Sequence, residues 1–530
     1  MTETNRSLDD RRNLQTMIAQ LGILATCTAA LLICFGCTGS HYNFPPPGSG
    51  ANGDSFAVRH GTFKTETKIY RADFCTITVP ENRDNPKSRL IDIPIIRVHC
   101  RADAPSEPVF GLAGGPGMSN MKWKPLDSLL AEHDFVMVGY RGVDGSTVLD
   151  CPEVAMAVKT GDDLLSERSL RRIGEAWHES AQRLTNAGVD LSGYTMKEVI
   201  EDFEAVRKAF GYDRIDLLSE SYGTRVAYFY GVIYPASIYR SVMIGVNPPG
   251  HFSWDPRVVD AQLNRYSELW SKDSAMSARA TDLAKCMRDV LHDMPRRWLF
   301  FNINPGKIRV VTFALLYNRS SAAMVFDTYA AAAHGDASGL ALMSMASDFV
   351  LPNLFIWGDL ASKGGSADFD STRDYSKEMM PADALLGSPI SKLLFGSLKY
   401  GRWPFVQLPS RYRTLQRSDV QTLLLSGSMD FSTPPQFATS ELLPYLPNGR
   451  QVILSEVGHV EDIWQVEPRA TEGMVMSFFN TGVPDTSLVK YVPMDFHVSW
   501  GFPRLAKTAL AVILILIASI IGIIIWLVRR

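Results

Sequence analysis

The chain has 530 residues, 46% of them apolar and 21% charged, and a net charge of −3 at neutral pH. That length supports a large core with an added subdomain. The near-balanced charge gives no sign of the basic excess that a nucleic-acid partner favours, so none is expected.

Residues 1–37 hold Arg11-Arg12 and then an apolar run from Met17 to Gly36, broken by Gln20, Thr26 and Thr28. This reads as a signal peptide or signal anchor. Cys37 is a candidate for lipidation, although Cys34 stands where a lipoprotein signal normally has Leu. Residues 38–65, with Pro45-Pro46-Pro47-Gly48, read as a tether. Cys75–Val79 and Leu90–Val98 are β-rich runs separated by the turn-rich Glu81–Ser88, which predicts a hairpin. Val109–Leu112 is a strand running into Gly114-Gly115-Pro116-Gly117, and Phe135–Val138 another running into Tyr140-Arg141-Gly142. Thr195 and Glu198 form a candidate capping box for a helix presenting Ile200, Phe203, Val206 and Phe210, with Gly211 as its stop. An apolar strand (Ile215, Leu217, Leu218) then leads into Ser219-Glu220-Ser221-Tyr222-Gly223, and a helical pattern from Arg225 to Tyr234 leads out. Ser241–Val246 is a further strand. This alternation predicts an α/β fold with a mainly parallel central sheet.

Residues 66–250 are the first part of that core. Residues 251–414 break the rhythm with helical patterns at Val259–Trp270 and Ser277–Leu291, and read as a helical cap insertion. Strands at Thr422–Leu425 and Gln451–Leu454 restore the rhythm over residues 415–481, and residues 482–507 form a linker. Thr508–Val528 is uncharged and matches the roughly 20 residues of a transmembrane helix. Arg11-Arg12 and Arg529-Arg530 flank the two apolar ends, and positive charge marks the cytoplasmic side. Both ends are expected inside, with the body between them outside the cytoplasm. There, Cys75, Cys100, Cys151 and Cys286 are expected to make at least one disulfide, with the pairing open.

Ser219–Gly223 sits where a nucleophile elbow belongs, on the sharp turn that lifts a serine out of a sheet. A serine needs a base to take its proton and a carboxylate to orient that base. Asp430 follows the strand Thr422–Leu425, and His459 follows Gln451–Leu454. The order Ser221, Asp430, His459 is that of α/β-hydrolases, unlike chymotrypsin or subtilisin. Taken singly, each residue reads as a turn former. Taken together, each just past a strand, they make an acyl-transfer site. Its oxyanion needs two backbone donors. Tyr222 follows the nucleophile, and Gly115 is the second candidate, in a loop whose glycines permit close backbone approach and whose Pro116 has no N–H to give.

At these residues the chain resembles the prolyl-aminopeptidase and tripeptidyl-aminopeptidase family of α/β-hydrolase serine exopeptidases. The matching parts are Cys75–Pro80 with Glu81-Asn82-Arg83, Gly114–Gly117, Tyr140-Arg141-Gly142 with Ser146, Glu220–Gly223, Asp430 with Thr433-Pro434, and Gly458-His459. The chain departs from the pattern at Ser219, which replaces the first elbow glycine, at Gly139 and at Ala113. The resemblance implies a cap at residues 251–414 and removal of one or a few residues from a peptide's free N-terminus. It implies neither cofactor nor metal. The family also contains esterases, so a small acyl ester is the alternative substrate. An aminopeptidase needs an acid for the substrate ammonium. Glu220, beside the nucleophile, is the substrate-binding candidate, with Asp327 and Asp348 in the cap. The competing reading of Glu220 is an elbow residue satisfied by backbone or a nearby arginine.

Overall fold

The computed structural model describes residues 42–46 and 56–529. The N-terminal apolar segment and Cys37 lie outside the described residues. Residues 42–503 form one compact unit.

Its strands are β1 (Phe56–Lys64), β2 (Ile69–Pro80), β3 (Leu90–Val98), β4 (Val109–Leu112), β5 (Phe135–Val138), β6 (Ile215–Glu220), β7 (Ile238–Ile244), β8 (Arg297–Trp298), β9 (Phe301–Asn302), β10 (Gln421–Gly427) and β11 (Gly449–Leu454). Nine of them make one sheet in the order β1-β2-β3-β5-β4-β6-β7-β10-β11. From β5 to β11 every neighbouring pair is parallel, whereas β1, β2 and β3 meander antiparallel. The parallel strands β4 and β5 are buried throughout, and β10 everywhere except its first residue. Strands covered on both faces read as unbroken apolar runs, which is why they were legible.

Strand β1 corrects one expectation. Residues 56–64, read as tether, pair along their whole length with β2. Phe56-Ala-Val-Arg-His shows no apolar–polar alternation, so nothing local signals an edge strand there. The expected hairpin is present as β2 and β3, with Cys75 opposite Ile95. The four described cysteines are free thiols. Cys75 and Cys151 are buried, which pushes each thiol up to about 12.

Helices α1 (Met196–Ala209), α2 (Tyr222–Ile233), α4 (Trp357–Asp368) and α5 (Val460–Gln465) bear on the site and its supports, and further helices are α3 (Ser338–Val350) and α6 (Phe502–Val528). Helix α1 ends as expected, with Gly211 at φ +72°. The Thr195–Glu198 capping box is not made: Thr195 caps nothing, and Glu198 instead accepts from Arg83 Nη1 at 2.6 Å. That ion pair belongs to a buried network. Arg83 and Arg141 share Asp202, while Arg89 and Tyr194 share Glu81. The Glu81-Asn82-Arg83 and Tyr140-Arg141-Gly142 motifs therefore meet each other, and their role is to hold the loop after β5.

Between β7 and β10 the chain is mainly helical, interrupted by the small β8–β9 hairpin. Helices run from Pro256 to Lys272 and from Leu283 to His292, close to the two expected there. Helix α6, starting at Phe502 rather than Thr508, is 27 residues long with a mean hydropathy of 3.2 over its most apolar stretch, none of it buried. It is long and apolar enough to cross a bilayer.

Candidate active site

The carboxyl ends of the parallel strands gather the candidate residues. Ser221 sits between β6 and α2 with φ +50° and ψ −120°, a backbone conformation that L-residues rarely adopt. The elbow packs too tightly for larger residues. A Cβ on Gly223 would lie 2.1 Å from the Leu112 carbonyl oxygen. Ser219 takes the place of the first elbow glycine because its buried hydroxyl donates to the Val242 carbonyl at 2.9 Å.

Asp430 and His459 come together across 29 residues of sequence. His459 Nδ1 lies 2.7 Å from Asp430 Oδ2. Asp430 also accepts from the N–H groups of Ser432 and Thr433, both at 2.9 Å, and from the Thr433 hydroxyl at 2.6 Å. Burial pushes this carboxyl up, but the charge and hydrogen bond of His459 and the Thr433 donors outweigh it, so the net shift is downward. His459 is held on its other side as well. Its N–H donates to Tyr317 O at 2.8 Å, and the Tyr317 ring meets the imidazole edge-on at 5.1 Å.

Two links bring Ser221 and His459 to the same place. The Ser221 N–H donates to Ile244 O at 2.9 Å, and a Cβ on the adjacent Gly245 would lie 3.0 Å from His459 Cε1. Glu220, one residue before Ser221, accepts from Trp464 Nε1 at 2.7 Å. Trp464 stands on α5, the helix that His459 opens. Among the described residues, Glu220 thus has an indole as the partner of its carboxyl, rather than a backbone group or an arginine. Some of its surface is exposed, yet it is enclosed by enough protein that burial lifts its carboxyl to about 7, against the opposing pull of Trp464 and His459.

The glycine loop stands against the elbow. A Cβ on Gly114 would lie 3.1 Å from Ser221 Cβ and 3.7 Å from its hydroxyl oxygen. Gly115 has φ +126°, where a side chain would be strained. The N–H of Tyr222 is the first of α2, a position without an intrahelical acceptor. Of the two oxyanion candidates, Tyr222 directly follows Ser221, and Gly115 directly follows the Gly114 that packs on it.

Several supporting residues escaped the sequence reading. Asn120 donates to Gly111 O and Val138 O and accepts from the Ala113 N–H at 2.7 Å, tying the glycine loop to two strand ends. The Gly117 N–H donates to Asp359 Oδ2 at 2.9 Å. Asp359 is fully buried on α4, with the fully buried Lys363 Nζ 2.7 Å from its other oxygen. Burial raises the Asp359 carboxyl, and Lys363 opposes that rise. Nothing in sequence links Gly117 to a residue 242 positions away. Thr433 did carry a signal, in the Asp430–Pro434 turn, but not for its hydroxyl contact with Asp430. The cap acids named for an ammonium are engaged elsewhere: Asp327 pairs with Arg279 at 2.7 Å and Asp348 with Lys307. Among the described residues, no cluster of His, Cys, Asp and Glu could hold a metal ion.

Residues 107–285 match the model of the α/β-hydrolase fold family. A tripeptidyl aminopeptidase of Streptomyces lividans is 23% identical over 241 residues, which cover 42% of this chain and 44% of the relative. Its counterpart in Streptomyces coelicolor matches to the same extent. The chain thus spans less than half the length of these curated relatives. Among solved structures, a serine hydrolase of the polyaromatic-hydrocarbon-degrading bacterium Cycloclasticus zankles is similar at 11% identity and a TM-score of 0.35, covering 80% of this chain and 98% of that one.

Proposed function

We propose that this chain, which has the α/β-hydrolase fold, is a serine hydrolase acting by acyl transfer, and that its substrate is a peptide with a free N-terminus. The observation that carries this reading is the 2.7 Å bond between Asp430 and His459 beside the strained Ser221 elbow. Ser221 Oγ attacks the acyl carbon as His459 Nε2 takes its proton. Asp430, ionised and fixed by its donors, holds Nδ1–H and favours the imidazolium that forms. The N–H groups of Gly115 and Tyr222 receive the oxyanion. His459 then returns the proton to the leaving amine, and water repeats the sequence on the acyl-enzyme. Helix α6 anchors the chain in a membrane, with the hydrolase body outside the cytoplasm.

Ser221→Ala should reduce kcat/KM by about 10⁴-fold or more while leaving circular dichroism unchanged. Retained turnover in that variant refutes the mechanism. The ester reading is favoured by one observation: Glu220, Asp327 and Asp348 each have a partner already. Peptidyl-aminocoumarins with free and blocked N-termini, assayed beside p-nitrophenyl esters, separate the two. Turnover that needs the free amine supports the peptidase. Ester turnover with no peptide cleavage replaces it.

A further inference from the structure

The β8–β9 hairpin violates the chemistry of its own turn. Trp298 pairs with Phe301, leaving Leu299 and Phe300 as a two-residue loop. Such loops favour glycine, asparagine or aspartate where φ is positive. Here Leu299 holds φ +54°, a strained backbone conformation for a bulky L-residue. Both tip side chains point away from the core. Leu299 is 60% and Phe300 72% exposed. Below them, Trp298 and Phe301 stack at 5.8 Å and give the tip a rigid base. The hairpin packs on α3, which adds Met345 and Phe349, 42% and 73% exposed. Arg296 and Arg297, both exposed, sit at its foot. These two arginines carry the exposed positive charge at the foot: Lys307 is buried against Asp348 on α3, and Arg319 is buried as well.

We propose that this hairpin and the adjoining face of α3 form a membrane-docking surface that inserts Leu299 and Phe300 into the interface of an anionic bilayer. A bulky apolar tip above two exposed arginines matches such an interface in both polarity and charge: apolar side chains enter the acyl boundary, and guanidinium groups stay at the phosphates. The proposal takes from the anchored reading above only that a bilayer is near. It binds the body of the molecule, residues 42–503, to lipid independently of α6.

The test uses the full-length chain reconstituted in nanodiscs of phosphatidylcholine and phosphatidylglycerol, with bimane on a cysteine introduced by Phe300→Cys. The unmodified chain, treated identically, supplies the background from its native thiols. Doxyl-labelled lipid is expected to quench most of the bimane emission, and aqueous iodide to quench little. In vesicle titrations, Arg296→Gln and Arg297→Gln should each weaken affinity for anionic lipid about five-fold. Leu299→Gly, which relieves the backbone strain, should weaken it without loss of thermal stability. Free access of iodide with no doxyl quenching overturns the proposal. So does protection from iodide that grows with protein concentration in the absence of lipid, which would make the surface a self-association site. Alkaline carbonate extraction tests the anchor separately. A chain that resists extraction but shows no quenching keeps the anchor and loses the docking surface. A chain that is extracted yet quenched on added vesicles does the reverse.

Discussion

The sheet carries a histidine beside an aspartate at both of its ends, and the two pairs are chemically unlike. At the carboxyl end, Asp430 accepts four hydrogen bonds, His459 among them, and stays ionised despite full burial. At the amino end, His133 and Asp216 are equally buried, but His133 Nδ1 lies 4.0 Å from Asp216 Oδ2. His133 is turned instead to Glu107 O at 2.7 Å and Asn480 Oδ1 at 3.2 Å. One Asp216 oxygen accepts from the Arg240 N–H, and the other has no hydrogen-bond partner. Burial therefore pushes Asp216 well above the usual carboxylate range, with the nearby Glu107 charge adding to it. Burial is common to both sites. The number of donors decides which carboxyl keeps its charge, and only a charged carboxyl favours an imidazolium.

The largest test of this contrast is Asp430→Asn. It should lower kcat/KM by about 10⁴-fold at neutral pH with the fold intact by circular dichroism. An equal loss for Asp216→Asn would erase the distinction between the two ends.

Asp359 extends the comparison to a carboxyl matched by a buried cation rather than by many donors. Asp359→Asn keeps one oxygen that can accept from the Gly117 N–H but leaves the buried Lys363 ammonium without its charge partner, so it should cost about 3–5 kcal/mol in denaturant unfolding. A change under 1 kcal/mol would mean that the ammonium finds other partners at no cost.

Glu220 sharpens the contrast through pH. Its carboxyl is raised from 4.5 to about 7 in the folded chain, so the native state holds a proton that the unfolded state releases. Wild type should lose stability as pH rises from 4.5 to about 7, and level off above. Glu220→Gln should lack that slope in thermal melts and should flatten any step near pH 7 in kcat/KM. Parallel stability curves for the two proteins would contradict the raised carboxyl.

The smallest effect belongs to Asp216→Asn itself. Turnover is expected to stay unchanged. Because the Asp216 carboxyl is raised, wild type alone should lose stability as pH climbs above the ordinary aspartate value of 3.8. Melting temperatures of the pair, converging at low pH and separating as pH increases, are the readout.

Much of the site was legible because its parts are local. A strand, a turn and a helix around Ser221, and turns after two later strands, each leave a pattern within ten residues or so. The edge strand β1 was not legible, since half of its pattern faces solvent and it is defined by its partner β2. The capping box failed for a related reason. Thr195 and Glu198 satisfy the local rule, but Arg83, distant in sequence, offers Glu198 a charged partner in a buried network. The disulfide expectation rested on compartment alone, and the geometry of β2 and β3 leaves Cys75 facing Ile95.

Sequence by itself determined the α/β alternation, the position of the elbow, the order Ser221, Asp430, His459, and an apolar helix at the C-terminal end. All of these follow from short-range periodicity and turn chemistry. Tertiary structure alone decided which carboxylates hold charge. It gave Asp430 its donors, left Asp216 half-satisfied, enclosed Glu220 against Trp464, and set Asp359 beneath the glycine loop. Ionisation depends on the dielectric and the donors around a group, and those are supplied by residues that the chain brings together only when it folds.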